Sequence, residues 1–217
     1  MVFLRSQPIY GDSEVQPITH GSILAVFFSA TDLETINGGR WYETAQVAAA
    51  TIAARYSVKA DTVAGVIAAL SPNNRWERNL RDADALISAY TLGGLSDALE
   101  VKTSTYGINK KKALAILEGA APLEVLGGLK VRAFYSCIIG GNDVCVDGHA
   151  YAIWRGERIS TSSTPKISPS LYSSIAADYV KATATINSVM GTNYHPYQIQ
   201  AITWLTWRRM VRGGQDV

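Results

Sequence analysis

The sequence predicts an all-α protein. Apolar residues recur at helical spacing in several stretches, strand-like alternation is scarce, and breaks containing Gly or Pro separate the stretches.

The N-terminal stretch up to about residue 39 is the least readable, and it is set apart as an extension. Asn37-Gly38-Gly39 precedes an alanine-rich helix across Ala45–Ala54, a composition that favours close helix packing. Val63, Val66, Ile67 and Leu70 sit at i, i+3, i+4 and i+7, and Ser71-Pro72-Asn73-Asn74 stops that helix. Leu80, Ala83, Ile87 and Tyr90 make the next face. Gly93-Gly94, Gly107, Gly127-Gly128 and Gly140-Gly141 punctuate the middle of the chain. Val131, Phe134, Tyr135, Ile138 and Ile139 form another apolar stripe. Ser160 to Pro169, rich in Ser, Thr and Pro, reads as a loop. A helix follows from about Ser170 to Met190. His195-Pro196 opens a last one, with Ile199, Ile202 and Leu205 on its face, ending near Arg212. The sum is about eight or nine short helices.

Composition narrows the function. The 217 residues carry 20 basic and 18 acidic side chains, a net charge of +2, which excludes a strongly basic nucleic-acid-coating protein. No apolar run approaches the ~20 residues of a membrane span, and Met1–Tyr10 does not read as a signal peptide, so no membrane partner is expected. The two cysteines, Cys137 and Cys145, exclude a disulfide scaffold and, within one chain, a four-cysteine zinc or iron–sulfur site. A reduced, cytoplasmic setting is expected. His20, His149 and His195 are too scattered to suggest a metal site, and no phosphate loop or dinucleotide fingerprint occurs. No cofactor is therefore expected. The near-neutral balance conceals a cluster: Lys102, Lys110, Lys111, Lys112, Lys130 and Arg132 face only Glu118 and Glu124 over one stretch. That stretch is either a set of solvated helix faces or a surface that tracks phosphates.

The sharpest local feature is Val146-Asp147-Gly148-His149, after a Gly-Gly break and at the start of a helical stretch. Asp147 is placed to cap that helix. Upstream, Gly127-Gly128-Leu129-Lys130 opens an apolar helix. Earlier still come Leu70-Ser71-Pro72-Asn73-Asn74-Arg75-Trp76 and the glycine turn Tyr106-Gly107-Ile108-Asn109-Lys110-Lys111-Lys112. In this order the four segments resemble the helix-hairpin-helix DNA glycosylase superfamily, the endonuclease III-like base-excision enzymes, over about Val63 to Trp154. The hairpin departs from that family's pattern by lacking its Pro and its second spaced glycine.

The resemblance implies a two-lobed helical fold with a cleft. Residues 60–141 would form a central lobe, and 40–59 with 142–217 the other. DNA is the implied partner, with no iron–sulfur cluster. Asp147 matches the catalytic carboxylate. Lys130, 17 residues earlier, matches the lysine nucleophile of the bifunctional members, and His149 accompanies them. Asn73, Asn74, Arg75 and Trp76 fall where residues fill the gap left by an extruded base. Gly127, Gly128, Lys110, Lys111 and Lys112 fall where the backbone of DNA is held. Tyr106, Tyr151 and Trp154 are the pocket aromatics this reading offers. Trp204, Trp207, Arg208 and Arg209 are expected to pack and snorkel on the last helix. Three functions stay open: N-glycosidic cleavage of an extruded base, a phage-type base hypermodification that transfers an amino acid or polyamine to an activated thymine, and DNA binding without catalysis.

Overall fold

The computed structural model describes residues 19–160 and 162–212. All regular structure among them is helical, in eleven helices: α1 (Thr19–Phe28), α2 (Asp32–Gly39), α3 (Trp41–Tyr56), α4 (Ala60–Leu70), α5 (Trp76–Glu100), α6 (Gly107–Leu117), α7 (Pro122–Val125), α8 (Leu129–Ile138), α9 (Gly148–Arg155), α10 (Pro169–Met190) and α11 (Pro196–Arg212). None is long and apolar enough to cross a membrane. The count exceeds the expected eight or nine because α1 and α2 lie in the stretch that lacked a readable period. In addition, α7 is a single turn with Pro122 in its first turn, too short to show a period.

Local chemistry explains the boundaries. Thr31 and Glu34 form a reciprocal capping box that starts α2. Ser168 caps α10, whose first residue is Pro169. Gly156 and Gly191 end α9 and α10 in the left-handed conformation. The Gly93-Gly94 break appears as a kink within α5, where Gly94 leaves helical geometry.

Two clusters of buried side chains carry the fold. The first gathers around α4, where every residue from Val63 to Leu70 is buried. The sequence shows only a stripe there. Packing against α3, α5, α6, α7 and α8 closes the remaining faces of the helix. The second cluster joins Ile23, Val26 and Phe27 of α1 to Ile153, Ile175, Tyr179, Ile186, Ile199 and Ile202 of α9, α10 and α11. Residues 40–59 were expected with the terminal helices. Yet Ala45, Ala49, Ile52 and Ala53 of α3 pack in the first cluster, because small side chains let α3 lie close against α4. A third, smaller cluster joins α3, α8 and α11: Tyr42, Cys137, Cys145 and Ala201, flanked by Trp41, Phe134 and Tyr197.

One backbone contact fixes where α11 lies. A Cβ added to Gly38 would sit 2.5 Å from the Ile202 Cα, so α2 and α11 touch through their main chains. Arg209 reinforces the contact, donating to Glu34 Oε1 at 2.7 Å and to the Ser29 carbonyl at 2.8 Å. The Glu34 carboxyl is held below its ordinary range: partial burial acts upward, but the hydrogen bonds and charge of Arg209 and the Thr31 N–H together outweigh it.

Gly38→Ala is expected to lose roughly 1–3 kcal/mol, the usual cost of overpacking a closed contact. Gly107→Ala, where an added Cβ meets nothing within 4 Å, is expected to change stability little. Urea denaturation of both variants reads the difference. Equal midpoints for the two would contradict the close α2–α11 approach.

Candidate functional site

A cavity of about 650 Å³ opens beside the third cluster and reaches the edge of the first through Trp41, Trp76 and Phe134. That volume lies within the ordinary range for small-molecule sites. It is built from the start of α3, the α4–α5 junction, α8, the residues before and within α9, and one face of α11.

Asp147, Lys130 and His149 all line it. Asp147 precedes α9 and caps it, its Oδ1 accepting from the Ala150 N–H at 2.8 Å. The cap uses one carboxylate oxygen and turns the residue toward the helix start, where the dipole favours a negative charge. Lys130 lies in the first turn of α8 and is exposed at the cavity. Between them runs the buried segment Val144-Cys145-Val146. Tyr172 clamps it, donating to the Val144 carbonyl at 2.8 Å and accepting from the Val146 N–H at 3.1 Å. Both thiols clamp it too. Cys145 Sγ donates to the Lys130 carbonyl at 3.6 Å, and Cys137 Sγ donates to the Asp143 carbonyl at 3.2 Å. This ties the backbone of Asp147 to that of Lys130.

The walls are aromatic. Trp41 lies 5.1 Å from Trp76, 6.0 Å from Phe134 and 6.5 Å from Trp204, ring centre to ring centre. Tyr42 packs edge-on against Phe134. His149 meets Trp204 edge-on at 6.4 Å, and the Arg208 guanidinium lies 4.4 Å over the Trp204 ring. Lys130, Arg75 and Arg208 supply positive charge to the lining, and Asp147 and Glu77 supply negative charge. Cys145 is a neutral part of the wall. Its thiol is pushed up to about 12, first by burial and then by Asp147, with Lys130 acting in the opposite direction.

The α4–α5 junction contributes Ser71, Asn74 and Asn79. Asn74 donates through Nδ2 to Asp82 Oδ2 at 3.0 Å, and Asn79 donates through Nδ2 to the Ile67 carbonyl at 3.0 Å. The Oδ1 atoms of both are buried with no partner among the described residues. A buried acceptor left so costs on the order of 1–3 kcal/mol. Asp82, itself buried, also accepts from the Ser104 N–H at 2.8 Å, and Thr105 donates to the Pro72 carbonyl at 2.9 Å. The junction is therefore laced to the loop before α6.

Of the candidate gap-filling residues, Asn74, Arg75 and Trp76 line the cavity. Asn73 does not. It is exposed, has a left-handed φ of 57°, and donates to the Tyr106 hydroxyl at 3.2 Å. Tyr106 precedes α6 and is 64% exposed, outside the lining. Tyr151 and Trp154 are also outside it. At ~3.6 residues per turn they point roughly away from His149. They pack on the second cluster, with Trp154 Nε1 donating to Asp178 Oδ2 at 2.9 Å. Gly127 and Gly128 form an exposed turn before α8, with Gly128 at φ 77°, and neither lines the cavity. Lys110 closes the end of α5 by donating to the Leu99 and Val101 carbonyls at 2.6 and 2.5 Å. Lys111 is exposed, and the half-buried Lys112 reaches toward Gly127.

Sequence reasoning missed Trp41, Tyr42, Phe134, Gln200, Trp204 and Arg208 as lining residues. Trp207 and Arg209 pack as expected, but Trp204 and Arg208 turn to the cavity. The signal was available: Gln200, Trp204 and Arg208 stand at i, i+4 and i+8, a second stripe beside the apolar one.

Burial and hydrogen bonding make both thiols unreactive. Alkylation of the folded protein with iodoacetamide at mildly alkaline pH is expected to leave Cys137 and Cys145 unmodified, and unfolding in urea to expose both. Mass spectrometry of the two samples checks this, and rapid labelling of the native protein would contradict it.

No curated protein and no solved structure matches the chain. The chain belongs to a family of unknown function (DUF7178), whose profile matches residues 10–211.

Proposed function

We propose that this protein is a DNA base-processing enzyme that receives an extruded base in the cavity and cleaves its bond to the sugar. The observation that carries this reading is that Asp147 and Lys130 line one aromatic-walled cavity. A single chemical task asks for both features. A base taken out of a duplex stacks on aromatic faces. The sugar it leaves develops positive charge, which a fixed carboxylate stabilises.

In the hydrolytic form, water attacks the anomeric carbon as the C–N bond breaks. The base departs with the bonding electron pair and takes up a proton from solvent. Asp147 stabilises the cationic sugar and accepts the proton of the attacking water through the oxygen its helix cap does not use. Lys130, exposed at the cavity, offers an ammonium to a flanking phosphate. As a neutral amine it would instead attack the anomeric carbon and displace the base with its bonding electron pair; loss of an amine proton and opening of the sugar ring at its C–O bond would then give the Schiff base. The exposed side chains of Arg75, Arg78 and Lys111 extend the positive surface. A two-lobed helix-hairpin-helix arrangement belongs to the same proposal. Two separate clusters of buried residues support it, as does the succession α7, glycine turn, α8.

Asp147→Asn keeps a capping side chain, so its fold is expected to survive while base release falls by roughly 100-fold or more, the scale of a lost acid–base or charge-stabilising group. Duplex binding should persist. Release is measured by chromatography of free bases from oligonucleotides, and undiminished release by the variant would sink the reading. Borohydride trapping of a protein–DNA adduct, lost in Lys130→Ala, marks the lysine route. A base changed in mass but still attached to its sugar would favour the transferase reading.

A further inference from the structure

The cavity-facing stripe of α11 is graded in depth. Gln200, Trp204 and Arg208 follow one another about 6 Å apart along the helix axis. Gln200 is 5% exposed, whereas Trp204 and Arg208 are half-buried, so Gln200 stands at the inner end. Its amide has a fixed sense. The Tyr42 hydroxyl donates to Oε1, and the Tyr42 ring is itself buried among Trp41, Phe134 and Tyr197. That bond occupies the acceptor end and leaves Nε2 with two N–H donors. Nε2 has no hydrogen bond among the described residues. Nor is it sealed: the buried side-chain polar atoms left unpaired there are the Oδ1 atoms of Asn74 and Asn79. An unpaired Nε2 outside that set keeps contact with open space, and the space that Gln200 lines is the cavity.

The rest of the polar lining is mixed. Lys130, Arg75 and Arg208 donate, and Asp147 and Glu77 accept. Lys130, Arg75 and Glu77 are exposed and can turn to water. Gln200 cannot, because burial and the Tyr42 bond hold it, so it presents the same donor to whatever enters. We infer that Gln200 determines specificity by donating a hydrogen bond from Nε2 to a carbonyl oxygen of the ligand. Resting on the base-processing reading, this names the substrate class: a base with an exocyclic carbonyl on its inner edge, in preference to the counterpart carrying an amino group there. The amino counterpart sets donor against donor and leaves Nε2 unpaired, a mismatch that a polar site rejects.

Trp41, Trp76 and Trp204 line the cavity, so quenching of intrinsic fluorescence reports entry of a base. The wild-type protein is titrated with short duplexes of one sequence in which a single base stands opposite an abasic site, where leaving the stack costs least. That base is uracil or cytosine in one matched pair, and hypoxanthine or adenine in the other. The carbonyl member of at least one pair is expected to quench with roughly 10-fold or higher affinity than its amino partner. Gln200→Glu puts an oxygen in place of Nε2 and is expected to reverse the preference, which a merely structural loss would not do. If that variant fails to fold, Gln200→Met, which removes the donor at similar length, is expected to bring the pair to equal affinity. Equal affinities within both wild-type pairs overturn the inference and leave base entry standing. A carbonyl preference that persists unchanged in either variant overturns it too. Duplexes that bind without quenching would mean that no base enters, and the base-processing reading would fall with the inference.

Discussion

The cavity depends on Tyr42. Its ring is buried at the seam between the two large clusters, against Trp41 of its own helix, Phe134 of α8 and Tyr197 of α11. Its hydroxyl donates to Gln200 Oε1 at 3.4 Å and lies within hydrogen-bonding reach of the Cys145 thiol. One side chain thus touches α8, α11 and the segment that leads to Asp147. Burial, followed by the nearby thiols and the Asp147 carboxylate, pushes the hydroxyl well above the ordinary tyrosine range. It stays a neutral donor, which the acceptor Oε1 of Gln200 requires. A buried ring with a polar tip suits such a seam, because it packs as a hydrophobe and still fixes register through one directional bond.

From that seam the electrostatics of the site follow. Asp147 and Lys130 come from different helices, and the residues between them fold back through the Gly140-Gly141 turn. The return is held by Tyr172, Cys137 and Cys145, and Gln46 of α3 donates to the Cys137 carbonyl at 2.9 Å. Each clamp uses a neutral group. A charged clamp here would compete with Asp147 for Lys130, or with Lys130 for Asp147. Keeping the clamps neutral and buried adds no further charge between Asp147 and Lys130.

Helical spacing made α4 and α8 legible in the sequence and glycine chemistry marked a break at Gly93-Gly94, because both are local properties. Asp147 was legible as a cap, but that α5 resumes after the break was not legible. The partners of a face are not local. Trp41 and Tyr42 lie far from Asp147 along the chain, and nothing in their spacing says that they meet α8 and α11. Tyr151 and Trp154 misled for the opposite reason. They stand near Asp147 in sequence, yet helical rotation turns them to the second cluster. Lys110 misled through composition, since charge counting cannot see that its ammonium closes the end of α5. On α11 two stripes share one helix. The apolar one announces itself, whereas the i, i+4, i+8 spacing of Gln200, Trp204 and Arg208 marks a second face without saying what that face meets.

The α4–α5 junction is where stability and function pull apart. Asn79 could leave no buried acceptor behind if it were apolar, and it sits among the apolar residues that surround α4. Its nitrogen holds the Ile67 carbonyl, in a helix whose every residue from Val63 to Leu70 is buried. That bond alone accounts for a donor at this position. It does not account for the oxygen, nor for the second unpaired oxygen on Asn74. Fold stability by itself disfavours both, so the junction carries a local cost that the rest of the core offsets. Local departures of this kind cluster near functional sites, and this one lies in the wall of the cavity that holds Asp147 and Lys130.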